Sequence, residues 1–141
     1  MAEYPASVGA RDLIAAHVAT SGWTTEVGAM PDDPNKVISI NDTGGLEPNP
    51  KWLLDYPTLQ VMVRGDVNGY LATFQEAKTV KDILLGLTST DLNGDRWVSI
   101  TQNSDLGFIG RDDQMRPIFS MNFALIIQPQ TVADSNRLPL P

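Results

Sequence analysis

One histidine and no cysteine limit the chemistry this chain can perform. Imidazole changes charge near neutral pH without help from its surroundings. His17, however, falls on or beside the apolar stripe of a helix, and no carboxylate or nucleophile is spaced to orient it for proton transfer. A packed or half-exposed helical histidine is the expectation. With no thiols, disulfides and thiolate metal sites are excluded. Asp91-Leu92-Asn93-Gly94-Asp95 resembles a calcium loop superficially, but its glycine comes one place early and Gln102 stands where a bidentate Glu belongs. A hairpin turn is expected there instead. Gly44-Gly45 is followed neither by Lys-Ser/Thr nor by a helix, so it is no phosphate loop. The pair Asp112-Asp113 sits at a predicted hairpin tip, where acidic pairs are solvated. No paired carboxylates occur at helical spacing, and no catalytic, cofactor or metal site is expected. Three arginines remain: Arg64 closes a strand, and Arg111 and Arg116 flank the tip. They are placed to pair with those acids within the protein or across an interface.

The elements that position these groups are organised around Thr58–Leu87. Leu59, Val61 and Val63 alternate with Thr58, Gln60, Met62 and Arg64, the period-2 pattern of a strand buried on one face. Gly65–Gly69 breaks the pattern with turn formers. The period then becomes helical through Tyr70, Phe74, Ala77, Val80, Leu84 and Leu87, with Asn68 able to cap the first turn. Upstream, a helix is expected from Ser7 to about Ser21, stopped by Gly22, with Ala10, Leu13, Ile14, His17 and Val18 on one stripe. A short strand is expected around Thr25–Gly28, then a better one at Val37–Asn41, ended by Asp42-Thr43-Gly44-Gly45.

Three prolines keep residues 46–57 irregular. Trp52, Leu53, Leu54 and Tyr56 inside that loop need either the core or a neighbouring subunit. Downstream, Trp97–Gln102 alternates, with Val98 and Ile100 opposite Trp97, Ser99 and Thr101, and Asp105–Gly110 is short and flanked by glycine. In the last strand Phe119, Met121, Phe123, Leu125 and Ile127 share one face, and Ser120, Asn122 and Ala124 the other. Its length suggests a central position, or an edge completed by another chain. The fold class is therefore α+β: a largely antiparallel mixed sheet of four to six strands, with two helices packed on one face. Gln60, Arg64, Ser99, Thr101, Ser120 and Asn122 lie on the other face. A single domain over 1–128 and an extended tail over 129–141 are expected, with Leu138 and Leu140 suited to docking on a neighbour.

Bulk composition narrows the partners. A 141-residue chain is long enough to bury roughly 68% of its unfolded surface. The net charge is −7 and the pI about 4.4, with ten scattered basic residues, which excludes an electrostatic nucleic-acid binder. No basic segment precedes an apolar core at the N-terminus, so no signal peptide is expected. No apolar run reaches the roughly 18 residues of a membrane span, so no membrane partner is expected.

The succession VISINDTGG, PTLQVMVRG, a helix ending ILLGL, and GRDDQMRPIFSMNFALII resembles the tail terminator (tail completion, or minor capsid) proteins of long-tailed bacteriophages. The matching positions are Asp42–Gly45, Pro57–Gly65 and Arg116–Phe123, and the resemblance spans roughly residues 10–128. It implies a virion protein without catalysis, made in the host bacterial cytoplasm and placed at the tail–neck junction. Such proteins form a ring, usually of six copies, that caps the tail tube and stops its polymerisation. The implied partners are further copies of the chain, the tail tube protein and a head-completion or neck protein, with genomic DNA passing through the lumen without specific binding. Trp52, Leu53, Tyr56, Arg64, Arg111, Asp112, Asp113, Arg116, Leu138 and Leu140 are the candidate interface residues. Two alternatives remain: another head–tail connector or tube-related subunit of similar fold, and a small cellular α+β binding module.

Overall fold

Alternation decides the strand at the centre of the fold. In a computed structural model that describes residues 4–48 and 54–129, Phe119, Met121, Phe123, Leu125 and Ile127 are all buried on one face of a twelve-residue strand. The elements in chain order are α1 (Ala6–Ala16), a short 3-10 turn (Val18–Thr20), β1 (Thr24–Val27), β2 (Val37–Leu46), β3 (Tyr56–Arg64), α2 (Tyr70–Leu85), β4 (Thr90–Leu92), β5 (Asp95–Arg111) and β6 (Pro117–Gln128). The six strands form one sheet in the order β1-β2-β3-β6-β5-β4, curled into a half-barrel. β1 runs parallel to β2, and every other pairing is antiparallel. The fold is α+β, as the sequence pattern implies.

Both helices cover the same face. Ala10 and Ile14 of α1 and Ala77, Val80 and Leu84 of α2 close over Ile38, Ile40, Leu59, Val61, Val63, Trp97 and the apolar row of β6. Each large apolar side chain removed from water here contributes roughly 1.5–3 kcal/mol before entropy is charged against it. The close packing leaves no room for extra atoms at two glycines. A Cβ at Gly65 would lie 1.8 Å from Thr73 Oγ1 on α2, and one at Gly9 would lie 2.7 Å from the Trp97 ring.

Several boundaries differ from the pattern-based expectation, each for a local reason. α1 ends at Ala16 rather than near Ser21, because Thr20 Oγ1 donates to the carbonyls of Ile14 (2.6 Å) and His17 (2.9 Å) and turns the chain. His17 and Val18 are therefore exposed, and His17 Nδ1 accepts from the Ala19 N–H. Ser7 lies inside α1 rather than at its cap, and Gly69, not Asn68, is the cap position of α2. β2 does not stop at Asp42-Thr43-Gly44-Gly45 but runs through it on a bulge. Gly45 has φ +125°, and a Cβ there would meet Tyr56 O at 2.0 Å, so only glycine fits. Asp95–Arg111 is one seventeen-residue strand with three register shifts, not two short ones. The first shift makes Val98 an extra residue. Trp97 is buried and Ile100 packs on the same core, whereas unbroken alternation would put them on opposite faces. Asn93 and Gly94 both have positive φ, as the tight β4–β5 hairpin turn requires.

Candidate assembly interface

The ten residues singled out from the sequence separate by position. Trp52, Leu53, Leu138 and Leu140 lie outside the described residues. Arg64 and Arg116 face inward, 2% and 1% exposed, so in this conformation neither is available to a partner. Tyr56 opens β3 half-buried, Asp112 is half-buried, and Arg111 and Asp113 are exposed at the β5–β6 tip.

The sheet brings Arg64 and Arg116 together because β3 ends where β6 begins, with Arg64 paired to Ile118. Both guanidinium groups are covered by the segment before β2. Arg64 donates from Nε to Asn35 O (3.0 Å), and from Nη2 to Pro34 O (2.8 Å), Asp32 O (3.4 Å) and Pro31 O. Arg116 donates from Nε to Asp112 Oδ2 (2.8 Å), and from Nη1 to Asp32 O (2.6 Å) and Asn35 Oδ1 (3.2 Å). Burial and the neighbouring charge of Arg116 lower the Arg64 pKa below its ordinary value, while Asp112, Asp32 and Asp33 pull it back up. Within the protein, Arg116 bridges Asp112 and Asp32. Arg111 works nearby, donating from Nη1 to Val67 O and Met115 O, both at 2.8 Å, and so tying the tip to the β3–α2 connection.

The Asp-Thr-Gly-Gly segment also has structural work. Asp42 Oδ1 accepts from the Ser7 N–H (3.1 Å) and Oδ2 from the Ser7 hydroxyl (2.6 Å), placing a carboxylate at the positive end of α1. The hydroxyls of Thr43 and Thr58 are 2.6 Å apart across the β2–β3 pair.

On the helix-free face, a trough of about 560 Å3 is lined by Thr43, Leu46, Tyr56, Thr58, Ser99, Thr101, Asn103 and Ile126 among others. Hydroxyl, amide and apolar groups line it among the described residues. A neighbouring cleft of about 500 Å3 contains Tyr4, Asp55, Tyr56 and Asp95. Among the described residues no three His, Cys, Asp or Glu side chains gather as a metal site would require. No helix among them is long and apolar enough to cross a membrane.

Sequence reasoning missed the apolar surface beside the tip. Val67, Leu71, Phe108, Ile109 and Met115 are 43–66% exposed, and the Phe108 ring packs on Tyr70 at 5.1 Å. The signal was the adjacent pair Phe108-Ile109 between Gly107 and Gly110. Two neighbouring strand residues ordinarily point to opposite faces, so both cannot enter one core.

Residues 13–129 match the family model described as bacteriophage tail terminator protein. The chain belongs to the bacteriophage tail terminator family. This terminator fold is shared with a chain from the virion of a native gene transfer agent particle, at a TM-score of 0.65 and 15% identity, covering 86% of this chain and 93% of that one. A second solved chain matches at a TM-score of 0.59 and 11% identity, over 90% of this chain and 94% of the other. No curated protein matches the sequence. Terminator family membership makes the chain a structural component of a phage tail.

Proposed function

We propose that this chain forms a closed ring of six copies that caps the tail tube, ends its polymerisation and joins the tail to the head-completion proteins of the neck. The observation that carries this is the terminator family match across residues 13–129. Two physical features support it. A cyclic ring needs two different patches on each copy. Tyr56 with the Trp52–Leu53 segment at one end of β3, and Arg111 with Asp113 at the tip beyond the other, are the proposed patches, with the segment carrying Leu138 and Leu140 as a third element. The second feature is charge. Thr58, Gln60, Ser99, Thr101, Asn103, Ser120 and Asn122 make the middle of the helix-free face polar without a fixed cation. With a net charge of −7, such a surface lets DNA pass without the counterion release that drives sticking.

Electron microscopy of the assembled particle tests this reading. A ring of about 92 kDa, six copies of a 15.4 kDa chain, is expected between tube and neck. A particle with no such ring of this chain overturns it. A tube-related subunit of the same architecture makes the opposite prediction, long filaments of this chain in place of one ring.

A further inference from the structure

The outer edge of β5 is long and bare. β6 lies along one side of β5, and on the other side β4 pairs only with Asp95–Trp97, so the stretch from Val98 to Arg111 has no strand partner on that side among the described residues. Soluble sheets protect such edges with Lys, Pro or inward-pointing charges. Between Val98 and Gly110 there is no proline, and the one charged residue, Asp105, is already held by Lys81 at 2.9 Å. The register shifts near Val98, between Asn103 and Gly107, and at Ile109 leave Ser99–Asn103 as a regular five-residue run. Further along the same strand, Phe108 and Ile109 are 44% and 57% exposed.

At the opposite end of the sheet β1 presents a second edge, the four residues Thr24–Val27, all half-buried. The two edges match in sense as well as in length. β1 is parallel to β2, and three antiparallel pairings then lead through β3 and β6 to β5, so β5 runs opposite to β1. Rotation of one copy about an axis along the strands thus brings β5 beside the next copy's β1 in antiparallel sense, with no change in the fold. Glu26 is the one charge on β1, and Ser99–Asn103 carries none, so nothing repels.

We propose that the Ser99–Asn103 edge of β5 pairs, backbone to backbone, with the Thr24–Val27 edge of β1 in a second copy of this chain, so that the sheet continues from copy to copy. The occupant is a second copy because one chain supplies both edges, at opposite ends of one sheet, and such a head-to-tail contact closes into a ring. This rests on the ring reading and adds a lateral contact along the sheet edges to the patches proposed at the strand ends.

The chain has no cysteine, so introduced thiols report adjacency without background. Glu26 and Thr101 both lie on the helix-free face, as their register partners show. Purified tails carrying Glu26→Cys and Thr101→Cys in the same chain are treated with a short bis-maleimide and run on a denaturing gel. A ladder rising from dimer to closed ring is expected, with each single variant staying monomeric. Dimers from Thr101→Cys alone would mean two-fold β5–β5 pairing and overturn the proposal. So would a monomeric double variant in particles where microscopy shows the ring, and in that case the ring reading survives. A cross-linked ladder without a closed ring keeps the edge pairing and removes the ring. Absence of both overturns both.

Discussion

Two positive charges buried side by side are stable here only because oxygen surrounds them. Arg116 holds a carboxylate, a carbonyl and an amide oxygen, and its removal takes the guanidinium from Asp112 Oδ2 and leaves the Asp32 carbonyl only the longer bond from Arg64. Arg116→Met is expected to cost about 3 kcal/mol in urea unfolding, the usual penalty for breaking a buried pair from one side. Two carboxyls give opposite pH signatures. Burial pushes the Asp112 carboxyl up, but N–H groups from Arg116 and Gln114 outweigh it, and its pKa falls below the ordinary value. That stabilisation is full above about pH 4 and is lost as pH falls through the lower folded value. Burial raises the pKa of Glu76, and its Oε1 has no hydrogen-bond partner among the described residues. Its favourable contribution is full below about pH 4 and is lost as pH rises through the raised value. Asp112→Asn should therefore flatten the acid limb of the stability profile. Glu76→Gln should raise the urea midpoint at pH 7 and change it little at pH 4. The sequence marked the arginines and acids as partners but did not say which lay inside. Arg64 closes an ordinary strand, and its burial depends on Pro31–Asn35 folding over it from thirty residues away.

At the level of elements, legibility followed regularity. β3 and β6 keep their periods unbroken, and their buried apolar faces could be read directly from spacing. In α2 the expected stripe is buried at Ala77, Val80 and Leu84, whereas Tyr70 and Phe74 are exposed, Thr73 is buried in their place and Leu87 lies past the helix end. β2 and β5 contain bulges, and a single extra residue reverses every later inward–outward assignment. For that reason Trp97 and Ile100 were expected on opposite faces. Two variants test how the elements are fastened. Gly65→Ala should destabilise by about 2 kcal/mol through overpacking, because its methyl would meet Thr73 Oγ1. Adding Thr73→Ala should recover part of that loss, with the coupling measured in a double-mutant cycle. Asp42→Ala removes the carboxylate from the start of α1 and should cost about 1 kcal/mol, read as faster amide exchange in that helix. The signature Asp-Thr-Gly-Gly thus joins three elements, which spacing alone does not reveal.

At the scale of the whole molecule, strand order was hidden from the sequence. β3 and β6 pair across more than fifty intervening residues, and nothing local records that partnership. The family resemblance pointed to a role, not to the strand order, and the match over residues 13–129 agrees with that family. Removal of Gln130–Pro141 is expected to weaken ring assembly, with particle microscopy as the readout. Unchanged rings would strike Leu138 and Leu140 from the proposed interface. One last consequence comes from the way Arg64 and Arg116 grip the chain before β2. Most of their bonds there end on main-chain oxygens, which every amino acid possesses. A grip of that kind leans little on side-chain identity, apart from the Asp32 carboxylate that Arg116 also reaches at 3.5 Å, so this shoulder of the protein keeps its path mainly through its backbone.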